Sequence, residues 1–249
     1  MQLECVFGDL DGRAFDVLLL GLFKNGKGPL NIPDGPLKEF CRTFLQSQKF
    51  SGDWGERQEV HTLGQLPTAR LCFVGLGEEE NYDVRRLWQA VSGAARLLNG
   101  AGVSHLAVAL ESFHASELPS DVVARTVVEG VHFGAYEYTK FKQKEKETAA
   151  RLGKLTLAGQ AQKERQRIEQ AAQMGRIAAE SVSFARDLQN HPGNFLTPTR
   201  LAEIAVQAAN EVGIQVKVLE QPEIETEKMG ALLGVARGSQ EPPRFIILE

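Results

Sequence analysis

Cysteine is scarce in this chain: Cys5, Cys41 and Cys72 are the three it has, each inside an apolar run. An odd, widely spaced set excludes both a disulfide framework and a zinc motif, and it suits a reducing, cytosolic setting. Charge of one sign is scarce as well. A formal charge of −4 gives no long-range attraction for nucleic acid or an anionic membrane. Long apolar runs are missing, since the one near the N-terminus, Val17 to Phe23, is far too short to span a bilayer. The opening MQLECVFGDLDGR is acidic and short in apolar length, so it reads as neither a signal nor a transit peptide. Paired ligand spacing is also missing. His61, His105, His114, His132 and His191 are scattered with no HExxH pattern and read as surface or satisfied core side chains. There is no internal repeat and no low-complexity segment.

What is present is enough apolar material for a sizeable core, 43% of 249 residues, in one large domain or two smaller ones. The first half alternates short apolar runs with helical periodicity, the mark of an α/β layer fold. Leu3, Cys5 and Phe7 alternate as in a half-buried strand. Phe15 to Phe23 reads as a central strand buried on both faces. A polar, glycine-rich loop follows at Lys24 to Gly28. Then Leu37, Phe40, Cys41, Phe44 and Leu45 repeat at helical spacing behind Pro36. Gly52 to Glu59 reads as an exposed turn, and Leu71 to Leu76 as a buried strand broken by Gly75. A helix is predicted from about Asp83 to Asn99, a strand over His105 to Leu110, and a helix through Val123, Val127 and Val131 capped by Ser120. The mixed-sign run KQKEKE that follows reads as a solvated segment. Leu155 to Ala158 reads as an edge strand closing the first domain.

From Gln162 to Gln189 the pattern is one long helix. One stripe is small, with Ala171, Gly175, Ala178, Val182 and Ala185, which allows close approach of another backbone. An adjacent row holds Ile168, Ile177, Phe184 and Leu188. Such a helix packs on more than one partner and reads as a connector between two domains. Turn formers then come in a row, Asn190 to Asn194. Thr197 offers a hydroxyl cap and Pro198 sits at the first helical position. A helix to Val212 ended by Gly213, a strand over Ile214 to Leu219, a short helix ending at Met229-Gly230, an extended Leu232 to Ala236 and an apolar strand over Arg244 to Glu249 complete the chain. Elements so short cannot bury a full core. The chain is therefore expected to be cut inside its second domain, with residues 190–249 its least stable part.

The residue order is more specific than the elements. Arg186-Asp187-Leu188, Asn190, Pro192, Asn194 and Leu196-Thr197-Pro198, followed by Met229 to Leu233, Val235 to Ser239 and Pro242-Pro243-Arg244, closely resemble the start of the catalytic domain of the M17 leucyl aminopeptidases. The resemblance extends more loosely over the whole chain. It implies a macro-like α/β domain at 1–160, the connector helix at 161–189, and the incomplete start of an α/β metallopeptidase domain at 190–249. It also implies a cytoplasmic hydrolase that removes N-terminal residues, leucine among them, from peptides. The implied cofactors are two divalent ions, zinc or manganese, and the implied assembly is a hexamer of identical chains. The family's metal motifs combine a Lys with Gly and Asp, and an Asn-Thr-Asp-Ala-Glu-Gly-Arg run. Neither string occurs here, so no residue is assigned a catalytic, cofactor-binding or metal-binding role. The chain alone is expected to be inactive, serving assembly and positioning.

The remaining candidates each have a plainer reading. His191 lies where the family more often has an acidic residue, and a turn-stabilising role is favoured. Gly75-Leu76-Gly77 could cradle a phosphate, but Glu78, Glu79 and Glu80 would repel one, which favours a strand-to-helix turn. Arg237-Gly238-Ser239 could approach a ligand, but reads first as a tight turn. Asp187 on a helix's last turn opposes the helix dipole and implies a specific structural partner; Arg186 there suits it. Two other classes stay open: a stand-alone macro-like module binding nucleotide or ADP-ribose ligands, and a DNA-binding or scaffolding role that the charge balance disfavours.

Overall fold

The computed structural model describes residues 1–24, 32–48, 50–115, 117–142 and 151–249. Apart from Lys24 and Lys142, the polar loop expected at 24–28 and the mixed-charge run at 142–147 lie outside these. The described residues form two compact units, Met1–Phe184 and Ala185–Glu249.

The first unit is built on six strands: β1 (Gln2–Phe7), β2 (Val17–Phe23), β3 (Arg57–His61), β4 (Arg70–Gly77), β5 (His105–Ala109) and β6 (Lys154–Gly159), in the order β1-β6-β5-β2-β4-β3. All neighbours are parallel except β3 with β4. The continuous run at β2 belongs at the centre, because helices cover both faces of a parallel sheet. Val17 and Leu19 face one core with Val74, Leu106 and Leu155, beneath helices α2 (Val84–Gly100) and α3 (Ser120–Ala135). Leu18 and Leu20 face the other with Phe73 and with Leu37 and Cys41 of α1 (Pro36–Ser47). Each fully buried leucine contributes about 1.5–3 kcal/mol relative to exposure.

Several expectations change. Leu155 to Ala158 is not an edge: β6 lies between β1 and β5, and the half-buried β1 takes the edge. The polar stretch ending at Glu59 is a turn only as far as the left-handed Gly52 and Gly55. From Arg57 it pairs as antiparallel β3, whose alternating charged residues guard an exposed edge. Gly75 does not break β4, which runs through to Gly77. It is glycine because a Cβ there would collide with the Asp53 carbonyl. Ser120 is the first residue of α3, with Pro119 in the cap position.

The long helix α4 (Arg165–Asn190) is present, and the division between units falls inside it. Its buried stripe is Ile168, Ala172, Gly175 and Ala179. Of the expected small stripe only Gly175 is buried. Ala171 and Ala178 are half-buried, and Val182 and Ala185 are exposed. Both rows are small or apolar at helical spacing, and the positions of α3 and of β1 select between them.

In the second unit, α5 (Pro198–Val212) leads to β7 (Val216–Leu219), α6 (Gln221–Thr226), α7 (Gly230–Ala236) and β8 (Phe245–Leu248). Leu232 to Ala236 is therefore helical, not extended. β7 and β8 form a two-stranded antiparallel ribbon, Val216 opposite Leu248 and Leu219 opposite Phe245. Phe245 and Leu248 are exposed, so β8 is not buried on both faces. The buried side chains of this unit are few: Ala202, Ala209, Leu219, Ile224 and Pro243.

Candidate functional site

The signature stretch folds as its residue order implies. Helix α4 ends at Asn190, and the His191 N–H donates to the Leu188 carbonyl at 3.3 Å. The Pro192 carbonyl then accepts from Phe195 N at 2.8 Å and Leu196 N at 3.0 Å, closing a tight turn. His191 meets Phe195 edge-on, ring centres 4.8 Å apart, so its imidazole packs the turn. The Thr197 hydroxyl accepts from Arg200 N at 3.3 Å, with Pro198 in the first turn, and Gly213 ends α5 in the left-handed region at φ 75°. This turn and cap position the second unit's elements. Arg186 and Asp187 stand on the last turns of α4, as expected.

The second motif closes on itself in the same way. Ser239 N donates to the Ala236 carbonyl at 3.0 Å, and the Ser239 hydroxyl accepts from Glu241 N at 3.0 Å. The Arg237-Gly238-Ser239 segment is thus an exposed turn behind α7. Sequence reasoning missed the pin that follows it. The Arg244 guanidinium, only 14% exposed, lies 3.4 Å from the Glu220 carboxylate and donates to the Pro243 carbonyl. It ties the start of β8 to the start of α6. An arginine directly after two prolines was the available signal.

In the first unit the glycine pair offers no anion cradle. Gly75 N donates to the Glu56 carbonyl and Gly77 N to the Gly52 carbonyl, while Asp83 caps α2 by accepting from Arg86 N. An anion site needs several convergent amides left free. The crevice beyond the carboxyl ends of parallel strands is where α/β sheets hold ligands. At β2 the protein fills it. Ser112 Oγ accepts from Gly21 N at 2.9 Å, Tyr82 donates to the Phe113 carbonyl, and Phe113 is fully buried. Beside it, a Glu111 carboxylate oxygen takes the Gln160 N–H, joining the turn after β5 to the end of β6. Burial raises the Glu111 pKa against the pull of its backbone donors.

The histidines do not meet. His61 is on edge strand β3, and His114 is exposed behind a 3-10 turn. His105 packs edge-on against Phe15, with Nε2 2.8 Å from the Thr156 hydroxyl. Desolvation, with Lys154 nearby, lowers its pKa. His132 is buried in α3. Burial pushes the Cys5 thiol up to about 11 and those of Cys41 and Cys72 to about 12, which withholds the thiolate needed for nucleophilic or ligand chemistry. Among the described residues no three His, Cys, Asp or Glu side chains converge as a metal site. No described helix is long and apolar enough to cross a membrane.

These features define a protein of two α/β units, the first a three-layer domain on a mostly parallel sheet. Comparison with known proteins gives the family. Residues 20–145 match the model of the cytosol aminopeptidase family, N-terminal domain, and residues 183–249 match that family's catalytic domain. The chain belongs to the cytosol aminopeptidase family. A probable cytosol aminopeptidase of Geobacter sp. (strain M21) is 35% identical, over 95% of this chain and 47% of its own length. One of Alkaliphilus oremlandii (strain OhILAs) is 30% identical, over all of this chain and 50% of its own length. The chain thus spans about half the length of the curated relatives it matches. Among solved structures, the bottromycin maturation enzyme BotP in complex with Mn superposes with a TM-score of 0.74 at 25% identity, covering 94% of this chain and 44% of its own. A tomato leucine aminopeptidase mutant superposes at 0.79 over 99% of this chain and half of its own, and at 23% identity it speaks for the fold alone.

Proposed function

We propose that this chain forms the first half of a metal-dependent leucyl aminopeptidase, a hydrolase that removes N-terminal residues from peptides in the cytoplasm. One observation carries the reading. The catalytic-domain family model begins at Ser183, on α4, and covers the whole second unit, after the N-terminal model in the family's order. In this reading residues 1–160 are the macro-like domain, 161–189 the connector and 190–249 the start of the peptidase domain.

The residues present do not fit the pair of divalent ions, manganese or zinc, that such an enzyme uses. The thiols of Cys41 and Cys72 are buried and that of half-buried Cys5 is held protonated with them, the histidines lie on separate elements, and no carboxylate cluster forms among the described residues. The metal ligands and the arginine that assists them come from the other half of the relatives' length, and this half serves assembly, as part of a hexamer, and positioning.

The test is turnover of a leucine chromogenic substrate with added manganese or zinc. The 249-residue chain is expected to show none. Chelator-sensitive turnover that co-purifies with this chain alone would overturn the division of labour.

A further inference from the structure

Helices α3 and α4 approach each other in the same chain direction, with two levels of contact and a third of charge proximity. Near both helix starts, Asp121 pairs with Arg167 at 2.8 Å. Midway the backbones close up: a Cβ on Gly175 would stand 2.8 Å from the Arg125 carbonyl oxygen and 3.3 Å from the Val128 Cβ. The next level is His132, in the last turn of α3. The charged groups around it are Arg176 and Glu180 of α4 and the Met1 amino group. The buried stripe of α4 ends at this level with Ala179, and beyond it Val182 and Phe184 are exposed. His132 therefore lies level with the last buried turn of α4.

The group at that level is unusual. His132 is 9% exposed, and its Nε2 meets no hydrogen-bond partner among the described residues. A neutral imidazole can sit there at modest cost. An imidazolium loses its hydration, and among the described residues the compensating carboxylate is Glu180, which already pairs with Arg176 at 3.2 Å. We propose that His132 is a proton-sensitive latch: neutral, it seats the last buried turn of α4 on α3, and protonation releases that turn. The direction follows from the surroundings. Burial holds the seated imidazole below its ordinary value, and the Met1 amino group and Arg176 act the same way against Glu180. A released imidazole titrates near the ordinary value of about 6.5. Between the two values the released state binds more protons, so release grows as pH falls through about 6.5, by up to about tenfold per pH unit.

Amide hydrogen exchange of the 249-residue chain tests this between about pH 7.5 and about pH 5.5, with rates corrected for intrinsic exchange. Protection over 176–184 should fall by up to about tenfold per pH unit in the wild type. It should stay flat in His132→Phe, and in His132→Gln should the larger ring disturb packing. His105→Gln should leave the fall intact, which separates the latch from the other histidine with a lowered value. Titration of the wild-type imidazole by NMR gives a second reading, expected below about 6.5. A flat wild-type profile, an equal fall in the His132 variants, or an imidazole titrating at or above the ordinary value overturns the proposal.

Discussion

Replacing Gly175 by alanine tests how closely α4 approaches α3. On an isolated helix the change is favourable, because alanine exceeds glycine by about 0.8–1.0 kcal/mol in helix propensity. Here the added methyl meets backbone, 2.8 Å from the Arg125 carbonyl oxygen and 3.3 Å from its Cα, with the Val128 Cβ also at 3.3 Å. A carbonyl in a helix cannot swing aside as a side-chain tip can. Overpacking of this kind costs about 1–3 kcal/mol, so the net effect is a loss of about 0–2 kcal/mol. Gly100, the last residue of α2, supplies the control, since nothing lies within 4 Å of a Cβ there. Gly100→Ala should gain up to about 1 kcal/mol. The assay is urea unfolding followed by tryptophan fluorescence. Trp54 and Trp88 are the only tryptophans and both lie in the first unit, so the signal reports that unit without assuming that the whole chain unfolds in one step. If Gly175→Ala stabilised the unit as much as Gly100→Ala, the close approach would be refuted, and with it the register on which the His132 argument stands.

Thr197→Ala should weaken α5 by about 0.5–2 kcal/mol, read as faster amide exchange in its first turn, because Arg200 N loses its acceptor. Asp16, whose carboxylate takes the Ser104 hydroxyl and the N–H groups of Ser104 and His105, titrates below its ordinary value chiefly through the Ser104 bond. That stability is present above the unfolded value near 3.8 and lost as pH falls through the lower folded one, so Asp16→Asn should flatten the acid end of a stability–pH curve. Amides of β8 should exchange far faster than those of β2, since β8 has one strand neighbour and β2 has two; equal protection in a proven monomer would show the second unit to be self-sufficient.

Local chemistry made much of this protein readable in order. The apolar run at β2 could only be a strand covered on both faces. Thr197 with Pro198 and the left-handed Gly213 marked the two ends of α5 to the residue, because caps act through backbone groups one turn away. The signature around Asn190 to Pro198 disclosed the family, and the family's metal strings are absent from these residues. Other features depend on partners remote in sequence. β6 reads as an edge until β1 pairs with its outer side, and the register Leu3 opposite Leu155 spans almost the whole first unit. β3 carries no apolar run, because an edge strand needs none, and only its ladder with β4 reveals it. Leu232 to Ala236 is short and apolar, a pattern shared by strands and helices, and here the chain folds it as one helical turn after another from Gly230. On α4 two rows of small or apolar residues were equally eligible for burial. The sequence by itself determined that the helix would exist and have two faces. Which face is buried was decided by where α3 and β1 lie, because packing is a contest between surfaces and no single helix contains both.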